Sequence, residues 1–185
     1  MKKITILVSG KGTNLKHIVR SIHNGTLSTF SINSVISDRI CPAIFYALKK
    51  NIKIFSLKKD QFLSKKIDNI LLNNIPYMIV LSGFLSFLDE EFCKKWERKI
   101  INVHPSLLPK YGGKGMYGMN VHRSVIKNKE CISGATIHYV TKHIDEGKIL
   151  LQKSCKVSIK DNPISLSKKV SIIEKEILIQ SIKNF

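Results

Sequence analysis

An amide and an imidazole stand two residues apart at Asn102 and His104, at the start of a segment rich in proline and glycine. A short apolar run, Lys99–Val103, predicts a strand here. Because side chains alternate along a strand, Asn102 and His104 should point to the same side. Together they could stabilise a negatively charged oxygen and move a proton. The alternative is a buried Asn–His pair that only satisfies backbone groups.

A carboxylate that could join this pair is Asp145, in the polar segment Lys142–Gly147 between two predicted strands. A nearby carboxylate stabilises the charged form of an imidazole, so we expect Asp145 to raise the pKa of His104. The local alternative, an ordinary hairpin turn at Asp-Glu-Gly, is preferable if the segment is judged alone. His138, on the strand that enters the turn, is either a core histidine or a ligand contact.

The turn Gly10–Asn14 follows one predicted strand and opens a helix. Unpaired backbone N–H groups and a partial positive charge at a helix N-terminus suit a phosphate group, and glycine lets the backbone approach it closely. The spacing matches neither a dinucleotide-binding nor an ATP-binding glycine motif, so nucleotide binding is not implied. The alternative is a plain turn in which Thr13 caps the helix.

Short apolar runs alternate with segments of helical spacing over the first hundred residues. The predicted strands are Ile4–Val8, Ile32–Ile36, Ile52–Phe55, Tyr77–Leu81 and Lys99–Val103. The predicted helices are Asn14–Ile22, Pro42–Lys50, a stretch around Ile67–Leu72, and Asp89–Lys95. This alternation predicts an α/β fold, a mostly parallel twisted sheet with helices on both faces.

The second half of the chain has a different pattern. Residues 105–120 are rich in glycine and proline and predict a long loop, which in a compact domain is usually functional. Ala135–Thr141 and Ile149–Ile159 are predicted strands. From Pro163 onward, apolar residues recur at helical spacing and predict a C-terminal helix that docks on the sheet.

Length and composition narrow the class of protein. No apolar run among the 185 residues approaches the roughly 18 to 20 that a membrane-spanning helix needs. The apolar run Ile4–Val8 is too short for a secretory signal. The four cysteines are far apart and predict neither a disulfide framework nor a zinc site. We therefore expect a cytoplasmic protein without a metal site.

The chain carries 31 lysines and arginines against 13 acidic residues, a net charge of +18. Such a balance is typical of proteins that bind nucleic acid. However, the basic residues are almost all scattered lysines, whereas phosphate and base recognition usually relies on arginine. We therefore favour solvated lysine faces, in a chain generally rich in Lys, Ile and Asn, over an RNA-binding surface.

Two sequence blocks carry a resemblance to a known family. The more specific is Asn102–Tyr111, and the second is Gly134–Val140 leading into Ile144–Gly147. Either block alone indicates the wider superfamily of folate-dependent formyltransferases. With the turn in Ile6–Asn14 and the short length, the chain resembles the phosphoribosylglycinamide formyltransferase family of purine biosynthesis over nearly its whole length.

The resemblance implies a single Rossmann-type domain, 1–185, with a phosphate-binding half 1–100 and a catalytic and folate-binding half 101–185. It implies transfer of a formyl group from 10-formyltetrahydrofolate, a co-substrate, to the amine of glycinamide ribonucleotide. The residues that it assigns are a catalytic set (Asn102, His104, Asp145), contacts to the ribonucleotide (Gly12, Thr13, Asn14, Glu174) and a border of the folate pocket (Leu85, Ser86, Phe87, Leu88, Asn102, His138, Thr141, Lys142, His143, Ile144). The segment 85–88 would act through its backbone groups. No metal is required.

Three other readings remain open. Methionyl-tRNA formyltransferase shares this chemistry but normally carries a further C-terminal domain, for which 185 residues leave no room. Formyltetrahydrofolate hydrolase usually has a regulatory domain at its N-terminus. A non-catalytic RNA-binding protein would leave the joint presence of Asn102, His104 and Asp145 unexplained. We expect small-molecule partners, neither membrane nor nucleic acid, and a monomer or homodimer.

Overall fold

The computed structural model describes residues 1–185 and contains seven strands and six helices. The strands are β1 (Lys2–Val8), β2 (Phe30–Ser37), β3 (Ile54–Ser56), β4 (Met78–Ser82), β5 (Ile100–His104), β6 (Ile132–Tyr139) and β7 (Ile149–Lys156). The helices are α1 (Thr13–His23), α2 (Pro42–Lys49), α3 (Leu63–Leu72), α4 (Glu90–Lys95), α5 (Met119–Lys127) and α6 (Pro163–Asn184). None of these helices combines the length and apolarity needed to cross a bilayer. The predicted α/β class with a mostly parallel sheet is confirmed.

The chain divides into two compact units, Met1–Ile101 and Asn102–Phe185. In the first unit the strand order is β3-β2-β1-β4. β1 pairs in parallel with β2 and β4, and β2 pairs in parallel with β3. All five residues of β4 are buried, as are the last five of β1, which is typical of parallel strands covered on both faces.

Register within the first unit determines which loops meet. Val8 at the end of β1 is aligned with Ser37 of β2 and with Ser82 of β4. The carboxyl ends of the three strands therefore lie at one edge, where ligands collect in open α/β sheets. The loops that leave this edge include the turn Gly10–Asn14 and the segment 83–88.

In the second unit the order is β5-β6-β7, with β6 and β7 antiparallel. Helix α6 packs against β6, β7 and α5. It begins with a capping box, in which the Asn162 side chain accepts from the backbone N–H of Ser165 and the Ser165 side chain accepts from that of Asn162. Its buried residues recur at helical spacing, as the predicted C-terminal helix requires (Leu166, Val170, Ile173, Ile177).

Several predicted boundaries are wrong. The loop expected over 105–120 ends at helix α5, which starts at Met119 and was not predicted. Its buried apolar face consists of Val121 and Val125 alone, and two residues do not give a recognisable helical period in the sequence. Strand β6 starts at Ile132 rather than at Ala135, because its pairing with β7 extends as far as Ile132, which lies opposite Lys156.

Candidate active site

Three polar side chains of the second unit converge around the carboxylate of Asp145. The carboxylate oxygen Oδ2 of Asp145 lies 3.4 Å from Nδ1 of His104, and Oδ1 lies 3.5 Å from Nε2 of His138 and 3.5 Å from Nδ2 of Asn102. Asn102 and His104 come from β5, with His104 as its last residue, and His138 comes from β6. Amide, imidazole and carboxylate are thus within reach of one small molecule.

His104 is 4% exposed, and the ring nitrogen that does not face Asp145, Nε2, has a backbone partner. Nε2 lies 2.8 Å from the carbonyl oxygen of Tyr111. A carbonyl only accepts, so Nε2 carries a proton and Nδ1 is the nitrogen that faces Asp145. This arrangement leaves Nδ1 to exchange a proton with its surroundings.

The pKa of His104 contradicts our expectation. Burial, which disfavours the charged imidazolium, lowers the pKa more than the neighbouring Asp145 charge and the Tyr111 carbonyl raise it. The net pKa lies below the ordinary value for histidine, whereas we expected a raised one. The sequence motifs predict that the carboxylate lies near the imidazole. They do not show how strongly the two groups are desolvated in the folded protein.

Asp145 is ionised despite its burial. Burial pushes the pKa of its carboxyl upward, but the contact with His138, the nearby His104 and the backbone N–H of Gly113 outweigh it, so the net pKa is lowered. The Gly113 N–H donates to Oδ2 at 2.9 Å. Asp145 itself has a φ of 58°, in the left-handed region that aspartate tolerates better than most residues. The turn that the sequence suggested therefore exists and also directs the carboxylate.

Asn102 is oriented by His138. Nδ1 of His138 lies 2.8 Å from the Tyr139 carbonyl oxygen and must donate to it, which leaves Nε2 as an acceptor. The Asn102 amide nitrogen donates to that Nε2 at 3.1 Å. The amide N–H groups are therefore turned toward His138 and Asp145. His138, which was ambiguous in the sequence, is buried and belongs to this cluster.

The turn at Gly12 in the first unit has the features of an anion site. Gly12 precedes α1 with a φ of 70°, and no side chain caps the helix, so the expected alternative of a Thr13 cap is wrong. A Cβ on Gly12 would lie 2.7 Å from that of Ala43, so only glycine fits. The side-chain oxygen of Asn14 is buried without a hydrogen-bond partner. A bound group with a donor would satisfy it.

The predicted folate segment of the first unit is held through a buried carboxylate. Ser86 is buried and its hydroxyl donates to Asp38 Oδ2 at 2.6 Å, while Ser9 Oγ accepts from the Leu85 N–H at 2.8 Å. Burial raises the pKa of Asp38, but hydrogen bonds from Arg39, Ser86 and Ser9 outweigh it, so the net pKa is lowered. Leu85 thus has only its carbonyl to offer a ligand, and the neighbouring side chain of Phe87 is 63% exposed.

The other predicted contacts lie in the second unit. Residues Thr141–Ile144 are exposed and form a tight turn in which Thr141 Oγ1 accepts from the His143 N–H at 3.3 Å. Glu174 lies in α6 among buried apolar residues, and burial raises the pKa of its carboxyl to about 7. A carboxyl kept there at such a cost in desolvation is typical of a functional site.

Comparison with known proteins shows the family to which the chain belongs. A family model described as formyl transferase matches residues 2–182. This chain belongs to the formyl transferase family. A phosphoribosylglycinamide formyltransferase of Haemophilus influenzae is 32% identical over 88% of this chain and 76% of its own length. The chloroplastic phosphoribosylglycinamide formyltransferase of Arabidopsis thaliana is 31% identical over 91% of this chain, which spans only 60% of that relative.

Solved structures of the family share the fold. The crystal structure of phosphoribosylglycinamide formyltransferase from Anaplasma phagocytophilum superposes with a TM-score of 0.89 and is 30% identical, covering 98% of this chain and 85% of its own. The enzyme from Coxiella burnetii gives a TM-score of 0.87 at 29% identity, over 97% of this chain and 84% of its own.

Three features of this candidate site were not predicted as parts of it. Tyr111 holds His104 through a backbone carbonyl, which any residue type possesses. Gly113 binds Asp145 through its N–H, and only the adjacent pair of glycines in the sequence hinted at a special backbone. His122 of α5 is buried with Nδ1 unpartnered, and its pKa is lowered by burial and by His104. No spacing in the sequence connects it to the other histidines.

Proposed function

We propose that this chain transfers the formyl group of 10-formyltetrahydrofolate to the amine of glycinamide ribonucleotide. The observation that carries the proposal is the convergence of Asn102, His104 and Asp145, with Asp145 oxygens 3.4 Å from His104 Nδ1 and 3.5 Å from Asn102 Nδ2. The names of the relatives supply the acceptor. Attack of an amine on a formyl carbon needs donors for the developing negative oxygen and a route for one proton.

Asn102 and His104 are the donors in this proposal. The Asn102 amide and a protonated His104 Nδ1 would each direct an N–H at the oxygen that becomes negative, which is worth on the order of 3 kcal/mol of barrier per donor. Because the pKa of His104 is lowered, its charged form is disfavoured in the free protein. It becomes favourable when negative charge develops beside it, so the stabilisation is specific to the transition state.

Asp145 transfers the proton of the attacking amine in this proposal. Its lowered pKa keeps the carboxylate ionised and able to accept a proton from the attacking nitrogen, directly or through a water molecule. The same proton is then delivered to the leaving folate nitrogen. No covalent intermediate on the protein is needed.

The residues that the family resemblance assigns to the ribonucleotide keep their binding roles in this proposal. Gly12, Thr13 and Asn14 hold the ribonucleotide phosphate, supported by the uncapped start of α1 and by the close backbone approach at Gly12. Glu174 meets the ribose, where a hydroxyl would compensate the desolvation of the carboxyl. This assignment makes 1–100 the phosphate-binding half and 101–185 the catalytic and folate-binding half.

The folate supplies the activated formyl group when it is bound. Backbone groups of 85–88, held by Ser9 and Asp38, would bind its ring, with His138 and Thr141–Ile144 at the border. Small-molecule partners, a cytoplasmic location and a monomeric or dimeric state remain predictions.

One assay tests the proposal. Purified protein is mixed with 10-formyltetrahydrofolate and offered glycinamide ribonucleotide, charged initiator tRNA or water, and tetrahydrofolate release is followed. We expect release that depends on glycinamide ribonucleotide. Release in water alone would indicate a hydrolase, and release that requires the tRNA would indicate a tRNA formyltransferase. Salt-sensitive RNA binding without turnover would indicate a binding protein, and each of these three results would reject the proposal.

A further inference from the structure

Tyr111 connects the candidate catalytic histidine to a second group of polar residues. Its carbonyl oxygen lies 2.8 Å from His104 Nε2. Its backbone has a φ of 57°, a left-handed conformation that is uncommon for a bulky residue and that persists only when the surroundings hold it. The position of this carbonyl therefore depends on what restrains Tyr111.

The restraint is on the phenol. The Tyr111 hydroxyl donates to Oε1 of Glu130 at 2.9 Å and accepts from the Asn128 side-chain amide at 2.9 Å. Lys110 donates to the two Glu130 oxygens at 3.1 and 3.4 Å. Hydrogen bonds from Lys110 and then Tyr111 lower the pKa of Glu130, so it stays ionised and accepts strongly.

Packing against neighbouring side chains is not what fixes the Tyr111 ring. Tyr111, Asn128 and Glu130 all line a cavity of about 560 Å³ in the second unit. A side chain beside an open cavity lacks the contacts that fix a buried ring on every side. The hydrogen bonds to Glu130 and Asn128 are therefore the specific restraint on the phenol.

We propose that Tyr111 and Glu130 are positioning residues that fix His104 for catalysis. Together they hold the Tyr111 carbonyl against Nε2–H, so that Nδ1 is directed to Asp145. The imidazolium form then has its Nε2–H matched to the carbonyl, while its Nδ1–H faces Asp145 in the free protein and is available to the developing oxyanion during the reaction. Without the carbonyl, a neutral imidazole could instead place its single proton on Nδ1, facing Asp145, and the charged form would lose one of its partners.

The inference rests on the proposed function for its kinetic part only. The orientation and tautomer of His104 are properties of the free protein and can be measured without substrate. The test therefore combines ring-nitrogen NMR of His104 with steady-state kinetics. Failure of formyl transfer in the unmodified protein would reject the proposed function and leave the NMR arm to judge the positioning role.

The variants are Tyr111→Phe, which removes only the hydroxyl, and Glu130→Gln, which keeps an oxygen acceptor but removes its charge. The control is Tyr117→Phe, the same chemical change at a 53% exposed tyrosine of the neighbouring segment. In Tyr111→Phe we expect kcat to fall about tenfold, within the range for misplaced catalytic groups, with KM changed less than twofold. Glu130→Gln should lose less, and Tyr117→Phe should match the unmodified protein.

In the same Tyr111→Phe protein the Nε2–H signal of His104 should weaken or shift, and the His104 pKa should move further down. Unchanged His104 signals would overturn the inference, whether or not kcat falls. A signal change shared by Tyr117→Phe would also overturn it. If Tyr111→Phe does not fold, as judged by circular dichroism, Glu130→Gln carries the test with the same two outcomes.

Discussion

The amide of Asn102 donates to Nε2 of His138 over 3.1 Å, and this bond decides which way the amide faces. His138 can accept because its Nδ1 is committed to the carbonyl of Tyr139. A donor meant for a developing oxyanion must be oriented before the reaction begins, since reorientation during the step raises the barrier. In the proposed reaction His138 would thus act through Asn102.

Replacement of His138 should therefore reduce kcat. In His138→Ala the amide of Asn102 loses its partner, and we expect kcat to fall roughly 10- to 100-fold. His138→Gln, which offers an acceptor oxygen, should recover part of the loss. Steady-state kinetics on both variants, with the exposed His23→Ala as control, checks this. Equal activity of the alanine variant and the control would contradict the role.

Asp145→Asn should leave the fold nearly intact, because asparagine tolerates the left-handed backbone at this position. Turnover should fall by about 10²- to 10⁴-fold, the usual contribution of a general acid or base. Removal of the charge that raises the pKa of His104 should also lower that pKa further. Kinetics and histidine NMR titration measure the two effects. Turnover within a few fold of the unmodified protein would show that Asp145 has another role.

Gly113 and Gly115 form a matched pair. They have φ values of 88° and 84°, and a Cβ on either would meet nothing within 4 Å. Alanine at each should therefore cost a similar amount of stability, about 1–2 kcal/mol. Only the Gly113 N–H binds Asp145; alanine keeps this N–H, but relief of the left-handed φ would displace it from the carboxylate, so only Gly113→Ala should also reduce kcat by several fold. Chemical denaturation and kinetics separate the two effects, and equal losses of kcat would argue against the Gly113 contact.

Glu174 should make stability depend on pH. Its folded-state pKa of about 7 lies above the ordinary 4.5, so between these values the folded protein binds more protons than the unfolded chain. The contribution of Glu174 to stability is therefore full at low pH and is lost as the pH rises through that window. Glu174→Gln should raise the melting temperature at pH 8 by a few degrees, ~2–5 °C, and change it little at pH 4. Equal effects at both pH values would mean that burial of the carboxylate costs nothing.

Asp38 should stabilise the first unit. Its side chain is completely buried and accepts from Ser86 and Arg39, so Asp38→Asn leaves those donors with a weaker partner. We expect a loss of about 1.5–3 kcal/mol in the free energy of unfolding, the range for hydrogen bonds to charged groups. Ser86→Ala, which removes one of the donors, should cost less. Urea denaturation of both variants gives the comparison, and a larger loss in Ser86→Ala would contradict this account.

Much of the fold followed from patterns along the chain. The apolar runs at Ile4–Val8 and Tyr77–Leu81 contain most of β1 and most of β4, and the helical spacing after Pro163 matches α6. These elements bury continuous apolar faces, so their periodicity is strong. Helix α5 was missed because few residues define its buried face, and the start of β6 was missed because pairing with β7 extends it.

The sequence by itself determined which chemical groups the candidate site contains, since the two motif blocks supply an amide, an imidazole and a carboxylate. Only the tertiary structure decided how they behave. The direction of the His104 pKa depends on the balance between burial and the Asp145 charge, and its tautomer depends on a carbonyl of Tyr111. Both are set by distances and by exclusion of water, which the order of residues along the chain does not specify.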